Sequence, residues 1–121
     1  DFHAQQAHPH IIGYALLKLS SHRAQDAFIA GLNDERWWMI LTNLKGLAKT
    51  SSPEAINIIS GYLQDPDEKI RRSVVWILRN SKSHQAIEPL EKVLDDPDFE
   101  VRLYARDAIK YLEQQNQDRL R

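Results

Sequence analysis

One spacing constrains the fold of this chain more than any other feature. The stretch LQDPDEKIR at 63–71 returns as LDDPDFEVR at 94–102, an interval of 31 residues. Five columns of residues follow the same interval through three copies. They are Ser21, Ser52 and Ser83; Ala24, Ala55 and Ala86; Phe28, Ile59 and Leu90; Leu32, Leu63 and Leu94; and Asp34, Asp65 and Asp96. A constant period of this size indicates a repeat protein, here with units at about 21–51, 52–82 and 83–113.

Each unit is predicted to form two helices, named helix A and helix B. A serine opens helix A because its hydroxyl can accept a hydrogen bond from a backbone N–H of the first turn, and Pro53 suits the first helical position. A turn containing Asp-Pro ends helix A, and Asp67 then caps helix B. Pro89 falls inside helix A of the third unit and predicts either a tight first turn there or a helix start nearer Glu88. Apolar residues at three-to-four spacing mark the buried stripes, which in the second unit are Ala55, Ile56, Ile59 and Leu63 on helix A and Ile70, Val74, Ile77 and Leu78 on helix B.

The pattern also extends backwards by one period. Ile12, Ala15 and Leu16 then occupy helix B columns, so residues 10–19 are predicted to form a lone helix B. We therefore expect an all-α fold of half a repeat and three full repeats, with about seven helices. Residues 1–9 are expected to be a flexible N-terminal segment, 10–113 the repeat domain, and 114–121 a polar C-terminal tail.

The repeated residues resemble a known family. The pattern D-P-D-x-x-[VI]-R, with A-I-x-P-L in helix A, is similar to HEAT-like repeats of the phycobilisome-lyase type. This resemblance implies a right-handed α–α superhelix in which the helices B line the concave side. It also implies a ladder between neighbouring repeats, formed by an aspartate of the turn and an arginine of helix B. The matching residues are Asp65 with Arg71 and Asp96 with Arg102. The first unit has Ile40 in place of the arginine, so the ladder should be broken there.

Composition removes several classes of function. The formal charge is -1, which provides no overall field for nucleic acid or anionic membranes. The chain has no cysteine, which excludes disulfides, thiolate metal sites and a cysteine nucleophile. It also has no apolar run long enough to insert into a membrane. We found no nucleophile and base pattern for catalysis. His3, His8 and His10 lack a helical pattern that would preorganise them for a metal, so neither a metal nor a cofactor is predicted.

The exposed face of the helices B carries the candidate site. With Ile70 at 0° and about 100° per residue, Arg72, Trp76 and Arg79 lie at about 180° to 240°, opposite the buried stripe. Tryptophan and arginine are enriched in binding hot spots. The equivalent columns of the other units complete a row for contact with a partner: Trp37 or Trp38, Leu41, Arg72, Trp76, Arg79, Leu103 and Arg106. The alternative for Trp76 and Trp38 is packing between repeats.

Three functions follow, in order of preference. The first is a non-catalytic interaction module that presents this row to a protein or peptide, whose identity the sequence does not give. The second, implied by the resemblance, is a bilin-handling, lyase-like protein. The third is binding of nucleic acid through basic residues, for which the balanced charge makes the weakest case. The basic residues concerned are Lys69, Arg72, Arg79, Lys82, Arg106 and Lys110.

Overall fold

The computed structural model describes residues 23–50 and 52–120, and these residues form helices joined by short turns. The six α-helices of the described residues are 23–31 (α1), Trp37–Thr50 (α2), Pro53–Gly61 (α3), Glu68–Asn80 (α4), Ile87–Glu91 (α5) and Phe99–Leu120 (α6). Two 3-10 turns, Tyr62–Gln64 and His84–Ala86, lengthen the helices A of the second and third units. The predicted all-α class is confirmed. The expected lone helix at 10–19 and the segment 1–9 lie outside the described residues.

The helices form two layers. The helices A are α1, α3 and α5, and the helices B are α2, α4 and α6. Helix α4 packs against both α2 and α6, so the helices B lie side by side. The core fills the space between the layers and contains residues of both stripes that the sequence predicts, with Leu44, Leu47, Ile56, Ile59, Leu63, Val74, Leu78, Leu90, Val101 and Leu112 almost fully buried. None of the described helices combines the length and apolar character needed to cross a bilayer.

The helix starts follow the predicted capping residues at two places and depart at a third. The Ser52 hydroxyl accepts from the Ala55 N–H at 3.0 Å, and the Asp67 carboxylate accepts from the Lys69 N–H at 2.9 Å. Ser83, which we expected to cap in the same way, makes no such side-chain bond. Its backbone carbonyl accepts from Ala86 N–H instead, at 3.0 Å, as the first turn winds into a 3-10 helix. The tight first turn predicted from Pro89 is thus confirmed.

The aspartate that recurs in every unit has a structural role in the turn between helices A and B. In every unit its Oδ1 accepts the backbone N–H two residues further on, from Arg36 at 3.1 Å, Asp67 at 2.9 Å and Asp98 at 2.9 Å. This side-chain turn is a favoured conformation of aspartate. It fixes the direction in which each helix B leaves the turn.

The C-terminal residues differ from our expectation of a polar tail. Residues 114–120 continue α6, which runs unbroken to Leu120. The segment is polar, but Gln, Arg and Leu favour helices and no glycine or proline interrupts them.

Candidate functional site

A buried ion pair joins the second and third units at the turns. The Arg71 guanidinium donates to both carboxylate oxygens of Asp96, at 3.0 and 3.1 Å, and also to the carbonyl oxygens of Asp65 and Pro66 at 2.7 and 3.1 Å. In the third unit, Arg102 donates to the Asp96 carbonyl at 2.6 Å. Within one unit the arginine therefore contacts the carbonyl of its aspartate, and the carboxylate is reached from the neighbouring unit. Ile40 occupies the arginine position in the first unit and is buried.

The seam between α4 and α6 is closed by large side chains. Arg72 donates to Glu100 Oε1 at 3.0 Å, and the rings of Trp76 and Tyr104 lie 5.7 Å apart between centroids. Arg79 covers the Tyr111 ring at 3.9 Å and the Trp76 ring at 5.4 Å. A small cavity of about 80 Å³ lies along this seam. The side chains of α4 and α6 therefore meet across most of the seam.

The seam between α2 and α4 is open. Two depressions of about 550 and 260 Å³ follow it, and Ser73 lines both. We call this surface the α2–α4 groove. Trp37, half exposed at 57%, lines one depression, and Trp76, at 46%, lines the other. The groove is lined by Trp37, Leu41, Lys45, Ala48 and Lys49 from α2 and by Lys69, Ile70, Ser73, Trp76, Ile77 and Asn80 from α4, with Asp67 and Ser81 at the helix ends.

A single geometric rule explains why one seam is closed and the other open. Side chains 28 residues apart face each other across neighbouring helices B, as Arg72 does with Glu100. At the closed seam this spacing pairs Trp76 with Tyr104, two large rings. At the open seam the same spacing pairs Lys45 with Ser73 and Ala48 with Trp76, and in each pair one side chain is too small to span the gap. The groove is therefore a consequence of side-chain size at fixed backbone geometry.

The charges at the two seams also differ. At the α4–α6 seam Arg72 is paired with Glu100, and the Tyr104 hydroxyl donates to Glu100 Oε2 at 3.0 Å. This hydrogen bond to an anion raises the pKa of Tyr104 above its usual value. In the groove, Lys45, Lys49 and Lys69 have no carboxylate partner among the described residues. The groove is therefore an apolar cleft edged by unpaired positive charge.

The turn before α2 carries a separate, exposed pair. Arg36 donates to Asp34 through its side chain and its backbone N–H, and these bonds lower the pKa of Asp34 to about 2. The guanidinium also lies 5.5 Å from the centre of the Trp38 ring, and Trp38 meets Trp37 edge-on at 5.6 Å. Both tryptophans stay about half exposed.

Comparison with known proteins identifies the repeat. A sequence profile of HEAT repeats matches residues 15–110, most of the chain. The chain belongs to the HEAT-repeat family. No curated protein matches it. The match supports HEAT repeats in general, whereas the phycobilisome-lyase subtype stays a hypothesis.

The predicted site residues of this HEAT-repeat protein fall into three groups. Trp37, Leu41 and Trp76 line the α2–α4 groove. Arg72 and Arg79 lie at the closed seam and contact α6. Leu103 and Arg106 are exposed on α6, away from the groove. Trp76 borders both seams, so it is at once an inter-repeat contact and a wall of the groove.

Sequence reasoning missed the residues that close the α4–α6 seam, which are Glu100, Tyr104 and Tyr111. It also missed Ser73, whose small side chain keeps the other seam open. The signal that could have found most of them is the spacing of 28 residues, because it pairs each helix B residue with its neighbour across the seam. For metals, no group of three His, Cys, Asp or Glu side chains in residues 23–50 and 52–120 could hold an ion. His3, His8 and His10 lie outside the described residues.

Proposed function

We propose that this HEAT-repeat protein is a non-catalytic interaction module and that the α2–α4 groove binds an extended segment of a protein partner. HEAT repeats in general mediate protein–protein interactions as scaffolds, and membership of the family supports this class of function. Within this class of function, the difference between the two seams supports the α2–α4 groove as the binding site. Arg72 and Arg79, which the sequence places in the contact row, are engaged with α6, so the groove carries the proposal.

The single observation that carries the proposal is the contrast between two equivalent seams. The same backbone packing gives a closed surface between α4 and α6, and between α2 and α4 it gives an open groove with a tryptophan in each of its two depressions. A half-exposed tryptophan beside a cleft is a common anchor for a partner. Trp37 and Trp76 expose apolar surface at 57% and 46%, and burial of that surface would favour binding.

The bilin-handling alternative stays a hypothesis that rests on the repeat type alone. If the purified chain is mixed with a bilin and its absorbance spectrum does not change, that alternative is removed. Binding of nucleic acid is tested in the experiments on the groove described below.

A groove-filling substitution tests the proposal. Ser73→Trp puts a large ring where the two depressions meet, and we expect it to abolish recovery of partners from an extract of the native host. Asn57→Trp adds the same ring to the exposed side of α3 and should leave recovery unchanged. Both variants should keep the wild-type helical circular dichroism. Equal recovery by the Ser73→Trp variant and the wild type would overturn the proposal.

A further inference from the structure

We infer that the segment bound in the α2–α4 groove is an acidic peptide in extended conformation, with two apolar side chains that flank its carboxylates. This inference rests on the proposed function and adds the chemical class of the partner. It follows from the length of the groove, the positions of its apolar walls and its charge.

The length of the groove sets the length of the peptide. From Trp37 to Lys49 the groove follows twelve residues of α2, or about 18 Å at 1.5 Å per residue. An extended chain covers about 3.3 Å per residue, so the groove holds about five or six residues. The apolar walls lie at Trp37 and Leu41 on one side of Ser73 and at Trp76 and Ile77 on the other. Apolar side chains about four positions apart in the peptide would reach both.

The charge of the groove favours an anionic occupant. Helix α2 has two lysines and no acidic residue, and both Lys45 and Lys49 line the groove. Lys69 adds a third unpaired cation at the Trp37 end. Asp67 also lines this end and keeps its negative charge while its carboxylate accepts the Lys69 N–H, and Glu68 lies 4.0 Å from Arg72. The groove is therefore lined by three lysines and one carboxylate.

One opposing effect acts at the far end of the groove. The last turns of α2 and α4 point their carbonyl groups towards Lys49 and Asn80, and helix C-termini carry partial negative charge. Lys49 offsets part of this dipole. Lys45 lies one turn further from the end of α2, where the partial negative charge is weaker. We therefore expect Lys45 to contribute more than Lys49 to peptide binding.

The same observations favour a peptide over a nucleic acid. Affinity for a phosphate backbone grows with the number of cations that contact it. The arginines of α4 are committed elsewhere, with Arg71 on Asp96, Arg72 on Glu100 and Arg79 on two aromatic rings. Three lysines on an apolar cleft fit a short acidic peptide with apolar anchors better than a polyphosphate strand.

Synthetic ligands test the inference directly on the full chain. The probes are a fluorescein-labelled peptide with two leucines four positions apart and aspartates and glutamates between and beside them, the same peptide with asparagines and glutamines, one with lysines, and a labelled single-stranded RNA. Fluorescence anisotropy gives the affinities at two salt concentrations. We expect the acidic peptide to bind at least about tenfold more tightly than the amide peptide, since each carboxylate meets a cation in a partly desolvated cleft.

Matched variants locate the binding. Lys45→Gln with Lys49→Gln should weaken the acidic peptide about tenfold and leave the amide peptide unchanged. Lys92→Gln with Lys110→Gln removes the same charge outside the groove and should have no effect. The inference is overturned if acidic and amide peptides bind equally or neither binds. It is also overturned if RNA binds more tightly, with a steep loss in salt. The Ser73→Trp recovery experiment would then still decide the proposed function separately.

Discussion

At the scale of single residues, Arg71 does the most to join two repeats. The side chains of Arg71 and Asp96 are only 12% and 7% exposed, and the arginine also donates to two carbonyl groups of the turn. Arginine suits this position because its planar fork can serve the carboxylate and the carbonyls at once. Removal of Arg71 leaves the carboxylate buried without its cation.

Arg71→Ala should therefore lower the free energy of unfolding by about 3 kcal/mol, the usual cost of an uncompensated buried charge. Urea denaturation followed by circular dichroism measures the change. Addition of Asp96→Asn should restore part of the loss, because the asparagine carries no charge and can still accept the Asp98 N–H. Arg36→Ala, which breaks the exposed pair with Asp34, is the control and should have no measurable effect. A loss from Arg71→Ala as small as that from the control would contradict the ladder.

Lys82 offers a second prediction at this scale, because its backbone is strained. It follows α4 with φ at 57°, a left-handed conformation that glycine adopts more readily than lysine. Lys82→Gly should raise the free energy of unfolding by up to about 1 kcal/mol. Lys82→Ala removes the same charge but keeps Cβ, so it should give no gain. If both variants change stability equally, charge and not conformation is responsible.

At the scale of helices, Gly46 and Gly61 have opposite surroundings. A Cβ at Gly46, in α2, would overlap the Phe28 ring of α1, whereas a Cβ at Gly61, at the end of α3, would meet no atom within 4 Å. The first glycine permits close approach of two helices, and the second has no packing role. Helix propensity alone would predict the same gain in stability from alanine at both positions.

We expect Gly46→Ala to destabilise the fold by at least about 1 kcal/mol, because displacement of the Phe28 ring outweighs the gain in helix propensity. Gly61→Ala should instead stabilise it by about 0.5 kcal/mol, since the backbone there is already helical and alanine restricts the unfolded chain. Thermal unfolding of both variants provides the comparison. Stabilisation by Gly46→Ala would show that α1 and α2 are not packed as described.

The sequence predicted the helices and the core well because these depend on local periodicity. The stripe of α4 and the caps Ser52 and Asp67 needed no knowledge of neighbours. Ser83 failed as a cap because Pro89, several residues later, changed the first turn. The contact row was predicted as one continuous surface. The contact row did not predict which of the two seams is open. The opening of a seam depends on pairs of side chains 28 residues apart, such as Arg72 and Glu100.

At the scale of the whole molecule, each repeat contacts its neighbours, so stability is a sum over repeats and interfaces. The second and third units share the Arg71–Asp96 pair and the closed α4–α6 seam. Between the first and second units the equivalent pair is missing, because Ile40 occupies the arginine position of the first unit, and these two units are joined along an open seam. The described residues thus contain one firmly joined interface and one that leaves space for a ligand.

The most direct measurement of the central claim is residue-resolved photo-crosslinking. A benzophenone amino acid would replace Leu41 or Lys45 in the groove, and Asn57 or Glu88 on the helices A as controls. The account predicts that a partner in an extract of the native host crosslinks from positions 41 and 45 and not from 57 and 88. Crosslinks from the helix A positions, with none from the groove, would contradict it.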